Sequence, residues 1–191
     1  MKNFEFSLPS SYSLSLSLDA GKKQFSVKIN KLAGVIAVVG VIWGFIWFTP
    51  FAYKDSFRAL DYFIFLAALL IYIPLHELAH GGAYKLLTRQ KLTFGFKRTV
   101  AFCGVPNIYV YRKTALISLL TPFVLFTLVF GLGCAFTDGI LRFFMWILLS
   151  CHVSGCAGDL YDTYILLFRL KSPLTLMRDT GPMQEFYAKA E

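Results

Sequence analysis

Charged residues are scarce in this chain, and their scarcity argues against a soluble protein. Only 16% of its 191 residues are Asp, Glu, Lys or Arg, and 57% are hydrophobic, whereas a soluble domain has about 25% charged residues. The four cysteines form no C-x-x-C pair, so we predict neither a disulfide framework nor a cysteine zinc site. The first residues also lack the long apolar core of a signal peptide.

Four apolar stretches are long enough to cross a bilayer, which takes about 20 residues in a helix. The expected spans are residues 32–53, 57–84, 114–137 and 139–168. They predict an all-α polytopic membrane protein, in which a membrane domain of residues 32–170 is flanked by an N-terminal segment, 1–31, and a C-terminal tail, 171–191.

The basic residues lie beside these spans, in the N-terminal segment, in the connection between the second and third spans, and in the tail. In a four-span chain these three regions lie on one side of the membrane, and the positive-inside rule makes that side cytoplasmic. The net charge of +8 therefore indicates contact with the lipid bilayer, and no nucleic acid partner is expected.

Two segments outside the spans have the alternating pattern of β-strands. The runs Ser11–Leu18 and Gln24–Ile29, separated by a turn-like sequence, predict an N-terminal β-hairpin. The stretch Leu92–Tyr111 predicts a second, cytoplasmic β-hairpin, with its turn at Gly104–Asn107.

Near its end the second span contains the sequence His76-Glu77-Leu78-Ala79-His80. The H-E-x-x-H spacing places two imidazoles one helical turn apart on one face, where both can bind a single Zn²⁺. Glu77 is the candidate catalytic residue, as the general base that takes a proton from the attacking water. The chain has only three histidines, so a chance match is improbable.

A catalytic zinc usually has three protein ligands and an open position. The fourth span offers His152, Asp159 and Asp162. At about 1.5 Å per residue, Asp159 lies at nearly the depth of the histidine pair, whereas His152 lies about 10 Å away. Asp159 is therefore the expected third ligand. Asp162 and His152 remain alternative ligands, or residues that orient a ligating histidine through a hydrogen bond.

Several motifs in this chain resemble those of the zincin peptidase family of small bacterial membrane proteins, and more distantly those of site-2 intramembrane proteases. The resemblance covers roughly residues 60–180. It implies His76, His80 and Asp159 as zinc ligands, Glu77 as the base, and a bacterial cytoplasmic membrane location. The motifs that carry it are His76–His80, Leu92–Lys97, Thr121-Pro122, Gly158-Asp159, Pro173 and Arg178-Asp179.

The sequence thus predicts a zinc-dependent intramembrane or membrane-proximal endopeptidase that acts on a membrane protein or peptide. A spanning helix makes all of its backbone hydrogen bonds internally, so a helical substrate must unwind before cleavage. The unwound segment could then pair as an added strand with the 92–111 hairpin. Asn107 is a candidate substrate contact there, although it has the character of a turn residue. Two alternatives remain open: a non-proteolytic zinc-binding regulator, and a cation transporter using the ionisable residues of the fourth span.

Overall fold

The structure is a computed structural model that describes residues 2–19, 22–48, 58–97 and 100–189. Helices dominate it. The bounds are α1 Lys23–Phe48, α2 Ala59–Thr88, α3 Arg112–Phe136, α4 Gly139–Gly155 and α5 Ala157–Tyr164, and a π-helical segment, Ile165–Arg169, extends α5.

Three of these helices are long and apolar enough to cross a membrane: Ser26–Phe48 within α1, together with α2 and α3. A fourth span requires α4 and the α5–π segment together, which are bent by 45° at a break around Cys156. The prediction of about four spans is confirmed in this coarser form, as three to four candidate spans. The predicted continuous helix over 139–168 is wrong in detail, and the break places Asp159 in the first turn of α5.

Two glycines allow α1 to pack closely on α4. A Cβ at Gly40 would lie 2.6 Å from Ser150 Oγ, and one at Gly44 would lie 2.6 Å from Trp146 Cδ1. Trp146 Nε1 donates a hydrogen bond to the Gly40 carbonyl at 2.8 Å. A pair of small residues four positions apart is typical of close helix packing in membranes.

Seven strands lie in the described residues, and five of them form one antiparallel sheet. The bounds are β1 Phe4–Glu5, β2 Tyr12–Asp19, β3 Thr93–Lys97, β4 Val100–Gly104, β5 Tyr109–Tyr111, β6 Leu176–Asp179 and β7 Met183–Lys189. The sheet has the order β1-β5-β6-β7-β2, and β3 pairs with β4 separately. The sheet brings together chain segments that precede α1, join α2 to α3 and follow the π segment. These three segments therefore lie on one side of the helices.

The predicted N-terminal β-hairpin is wrong. Ser11–Leu18 lies largely in β2, but β2 pairs with β7, and Gln24–Ile29 belongs to α1. Extending a helix already formed by the following apolar residues costs less than starting a new element. An all-α description also misses the sheet, because β6 and β7 lie in the segment predicted to be a C-terminal tail.

The second predicted hairpin is present, with its turn elsewhere. β3 and β4 pair from Thr93↔Gly104 to Lys97↔Val100, and residues 98–99 between the two strands lie outside the described residues. The Gly104–Asn107 stretch instead carries the chain from β4 to β5. Gly104 is needed for a close approach there, because a Cβ on it would collide with the backbone nitrogen of Gly181.

Candidate metal centre

One face of α2 carries four ring side chains at intervals of four residues: Tyr72, His76, His80 and Tyr84. All four are buried, whereas large apolar residues of the same helix, such as Phe63 and Leu70, are exposed. Residues four apart stack along one helix face. The exposed face of α2 is therefore apolar and its buried face carries the polar rings. This suits a lipid environment, in which ionisable groups face the protein interior.

His76 and His80 direct their Nε2 atoms at one carboxylate oxygen. Asp159 Oδ2 lies 3.3 Å from His76 Nε2 and 3.4 Å from His80 Nε2. Ligand atoms at zinc bond lengths of about 2.0–2.1 Å around a tetrahedral centre are separated by about 3.3 Å. The two distances to Asp159 Oδ2 therefore match the spacing of a tetrahedral zinc, and all three donor atoms lie within 4.8 Å of one another.

The other ring nitrogen of His80 is held by a backbone carbonyl. His80 Nδ1 lies 2.8 Å from the Ser118 oxygen in α3. Because a carbonyl only accepts, the hydrogen must be on Nδ1, and Nε2 keeps its lone pair for a metal. This arrangement is common among metal-ligating histidines.

His76 is held by a different partner, which the sequence analysis missed. Its Nδ1 lies 2.9 Å from the hydroxyl of Tyr72, and that hydroxyl lies 2.7 Å from Nδ1 of His152. His152 is buried and reaches His76 through Tyr72. The signal in the sequence was the position of Tyr72, four residues before His76 and so on the same face of the helix.

Glu77 lies next to this cluster and touches the β3–β4 hairpin. It is partly buried, and the backbone of Cys103 in β4 lies beside its carboxylate. Burial raises the pKa of the Cys103 thiol to about 12, so this thiol stays neutral beside Glu77 and is a poor nucleophile.

The two remaining sequence candidates lie apart from the three donors. Asp162 is buried one turn after Asp159. Within the described residues, the groups whose donor atoms could share a metal are His76, His80 and Asp159, or His76, His152 and Cys156, and neither includes Asp162. Asn107 is exposed and lines a shallow surface depression with Gln90 and Lys91.

A buried network joins the end of α2 to the sheet. Tyr84 Oη donates to Asp179 Oδ2 at 2.7 Å, and the Gly181 N–H donates to Asp179 Oδ1 at 2.8 Å. Burial raises the pKa of Asp179 to about 6, and these two hydrogen bonds oppose the rise. The network fixes the five-stranded sheet against the helix that carries the histidines.

A scan against protein-family models matches residues 69–173 to a family described as "Putative zincin peptidase". The match spans more than half of the chain and contains both histidines, Glu77 and Asp159, and the chain belongs to this family. The family description suggests a zinc metallopeptidase, and it implies a zinc cofactor. Searches of the curated proteins and of the solved structures find no match to this chain. The two imidazole nitrogens and the one carboxylate oxygen of the site are ligands that zinc prefers.

Proposed function

We propose that this protein is a zinc-dependent endopeptidase that hydrolyses peptide bonds of membrane-associated substrates within or beside the bilayer. The observation that carries the proposal is the convergence of His76 Nε2 and His80 Nε2 on Asp159 Oδ2 at 3.3 and 3.4 Å, next to Glu77. Three such ligands leave one position of a tetrahedral metal open, which is the arrangement of catalytic rather than structural zinc.

The roles follow from the positions of the side chains. His76, His80 and Asp159 would hold the metal, and bound zinc would polarise the scissile carbonyl and lower the pKa of water. Glu77 accepts the proton of the attacking water and passes it to the leaving amine. The Cys103 backbone lies beside the Glu77 carboxylate and borders this base. Hydrogen bonds on both Nδ1 atoms fix the orientation of the two imidazole rings and leave each Nε2 facing Asp159.

The β3–β4 hairpin is the proposed contact for the substrate chain. β4 touches Glu77. Among the described residues β3 pairs only with β4, so its other edge is open to a further strand. An unwound substrate segment that added to this ribbon would pair its backbone beside the catalytic base. Asn107, in the turn after β4, is proposed only as a peripheral contact.

The proposed location is the bacterial cytoplasmic membrane, with both termini in the cytoplasm. The pairing of β2 with β7 supports the same side for the two terminal segments, and the basic residues of those segments support the cytoplasmic side.

The decisive variant is Glu77→Gln, which removes the base and keeps the shape of the side chain. Detergent-purified wild type and variant would be incubated with a proteome-derived peptide library and with a single-span helical peptide in liposomes. We expect E77Q to retain one zinc per chain and to lose cleavage by about 100-fold or more, the contribution of a general base. Glu185→Gln in β7 is the matched control and should cleave as wild type does.

Wild-type rates in E77Q would contradict the proposal. That result would favour a zinc-binding regulator or a cation transporter, neither of which needs the Glu77 base.

A further inference from the structure

A buried chain of hydrogen bonds runs from the candidate metal centre into the interior of the helices. It passes from His76 Nδ1 to Tyr72 Oη at 2.9 Å, and from there to His152 Nδ1 at 2.7 Å. His152 Nε2 then lies 3.1 Å from the carbonyl oxygen of Phe123 in α3. All three ring side chains are buried, and His152 is fully so.

The carbonyl at the end of this chain sets the direction of every hydrogen in it. The Phe123 oxygen can only accept, so His152 carries its hydrogen on Nε2. In a neutral imidazole the other nitrogen, Nδ1, is then an acceptor, and the Tyr72 hydroxyl must donate to it. The Tyr72 oxygen in turn accepts from His76 Nδ1. His76 Nε2 is left with its lone pair, facing Asp159.

We infer that Tyr72 and His152 are positioning residues that fix the tautomer and ring orientation of His76 as a zinc ligand. The inference rests on the proposed function, because it assigns these two residues to the zinc site named there. Hydrogen-bonding partners of ligating histidines typically contribute 10- to 100-fold to metal affinity.

The packing around Tyr72 keeps this partner in place. Its ring meets Phe126 edge to face with centroids 5.2 Å apart, and Phe130 with centroids 5.7 Å apart. His152 is held from the side by the Thr127 hydroxyl, 3.2 Å from Nε2. Since α3 supplies these contacts and also the Ser118 carbonyl that holds His80, one helix sets the orientation of both histidines.

The same residues admit a competing explanation, a second metal held by His76, His152 and Cys156. The geometry favours the hydrogen-bonded chain, because the Tyr72 hydroxyl bridges the two Nδ1 atoms at hydrogen-bonding distances. Cys156 Sγ lies farther away, 3.6 Å from His152 Nδ1. A second metal would require this thiol, whereas the chain of hydrogen bonds does not.

The first test is zinc affinity, measured by chelator competition on the detergent-purified full chain. Tyr72→Phe should weaken zinc binding by about 10- to 100-fold. Tyr164→Phe, which removes a hydroxyl from an exposed ring in α5, should leave affinity unchanged, and so should Cys156→Ala. Equal affinity in Tyr72→Phe and wild type would overturn the inference, as would loss of zinc in Cys156→Ala.

The two proposals fail in different ways. A folded wild type that binds no zinc would contradict the proposed function. If wild type binds zinc and Tyr72→Phe binds it with the same affinity, only the role of Tyr72 is contradicted.

The second test needs no variant that could misfold. The chain contains three histidines, so ¹⁵N-histidine labelling reports three rings, all in this site. In zinc-loaded wild type we expect the ¹⁵N shifts of two rings protonated on Nδ1, His76 and His80, and one ring protonated on Nε2, His152. A His152 ring protonated on Nδ1, or on both nitrogens, would reverse the chain and overturn the inference.

Discussion

Pro122 and His80 are connected through one carbonyl oxygen. In a regular helix the Ser118 carbonyl would accept a hydrogen bond from the backbone N–H of residue 122. Proline has no N–H, so this carbonyl is free of a helical partner and faces His80 Nδ1 at 2.8 Å. A helix defect in α3 thus becomes a fixed acceptor for a proposed zinc ligand.

Pro122→Ala should weaken zinc binding by roughly tenfold, the lower end of the effect of losing an outer hydrogen-bonding partner. The new N–H would compete with His80 for the Ser118 oxygen. The metal-free variant should unfold at the same temperature as wild type or higher, because alanine favours the helix.

Ser118→Ala is the control for this prediction. It keeps the carbonyl and removes a buried hydroxyl that has no hydrogen-bond partner, so its zinc affinity should equal that of wild type. Unchanged affinity in Pro122→Ala would show that the freed carbonyl does not matter.

Gly44→Ala should destabilise the packing of α1 on α4 by about 1–3 kcal/mol, the usual cost of overfilling a tight contact. The added Cβ would lie 2.6 Å from the Trp146 ring, which its hydrogen bond to Gly40 holds in place. Gly34→Ala, where nothing lies within 4 Å, makes the same change on the same helix and should not destabilise. Melting temperatures in detergent compare the two, and equal values would contradict the packing account.

The histidine motif could be read from the sequence because its chemistry is local. His76, Glu77 and His80 lie within one and a half turns, and helix periodicity alone places the histidines on one face. Asp159 is distant along the chain, but counting residues from the ends of the two spans places it at the same membrane depth as the two histidines. The position of Tyr72 places it on the face of His76 but does not identify its hydroxyl as a partner, and Ser118 acts through a backbone carbonyl that no motif marks.

The sheet was largely beyond prediction because its strands pair over long distances. Tyr12–Asp19 finds its partner in Met183–Lys189, about 170 residues later, so no local turn signal joins them. β6 has only four residues, too few for alternation to be recognised. The break at Cys156 contains no proline; Gly155 directly precedes it, but glycine is frequent in membrane helices and does not by itself mark a break.

The free energy of unfolding should fall as the pH rises from about 4 to about 7, in part because the buried Asp179 carboxyl loses its proton over this range. Its folded-state pKa of about 6 is raised above the ordinary value of about 3.9. The folded protein therefore holds this proton more tightly than the unfolded chain does. This stabilisation is fully present below pH of about 4 and is lost as the pH rises through about 6. The free energy of unfolding should fall by on the order of 3 kcal/mol over this range.

Asp179→Asn should flatten this part of the profile. Melting temperatures of wild type and variant between pH 4 and 8, in the same detergent, give the difference curve. A difference that does not change with pH would contradict a titrating, buried Asp179. Glu185→Gln, on the neighbouring strand, controls for the general loss of a carboxylate.

Both termini should be on the cytoplasmic side, and the α3–α4 connection should be on the other. Epitope tags at each end should be protected from added protease in intact spheroplasts, whereas a tag inserted at Asp138, which has an exposed side chain, should be cleaved. Because β2 pairs with β7, terminal tags found on opposite sides would contradict the fold itself.

The most direct measurement is the zinc content of detergent-purified protein, compared among wild type, Asp159→Asn and Asp162→Asn. The proposed site predicts one zinc per chain in wild type and in Asp162→Asn. It predicts strong loss of zinc in Asp159→Asn, whose carboxylate oxygen faces both Nε2 atoms. Zinc retained in Asp159→Asn and lost in Asp162→Asn would contradict the ligand set, and a folded wild type without zinc would contradict the metal centre.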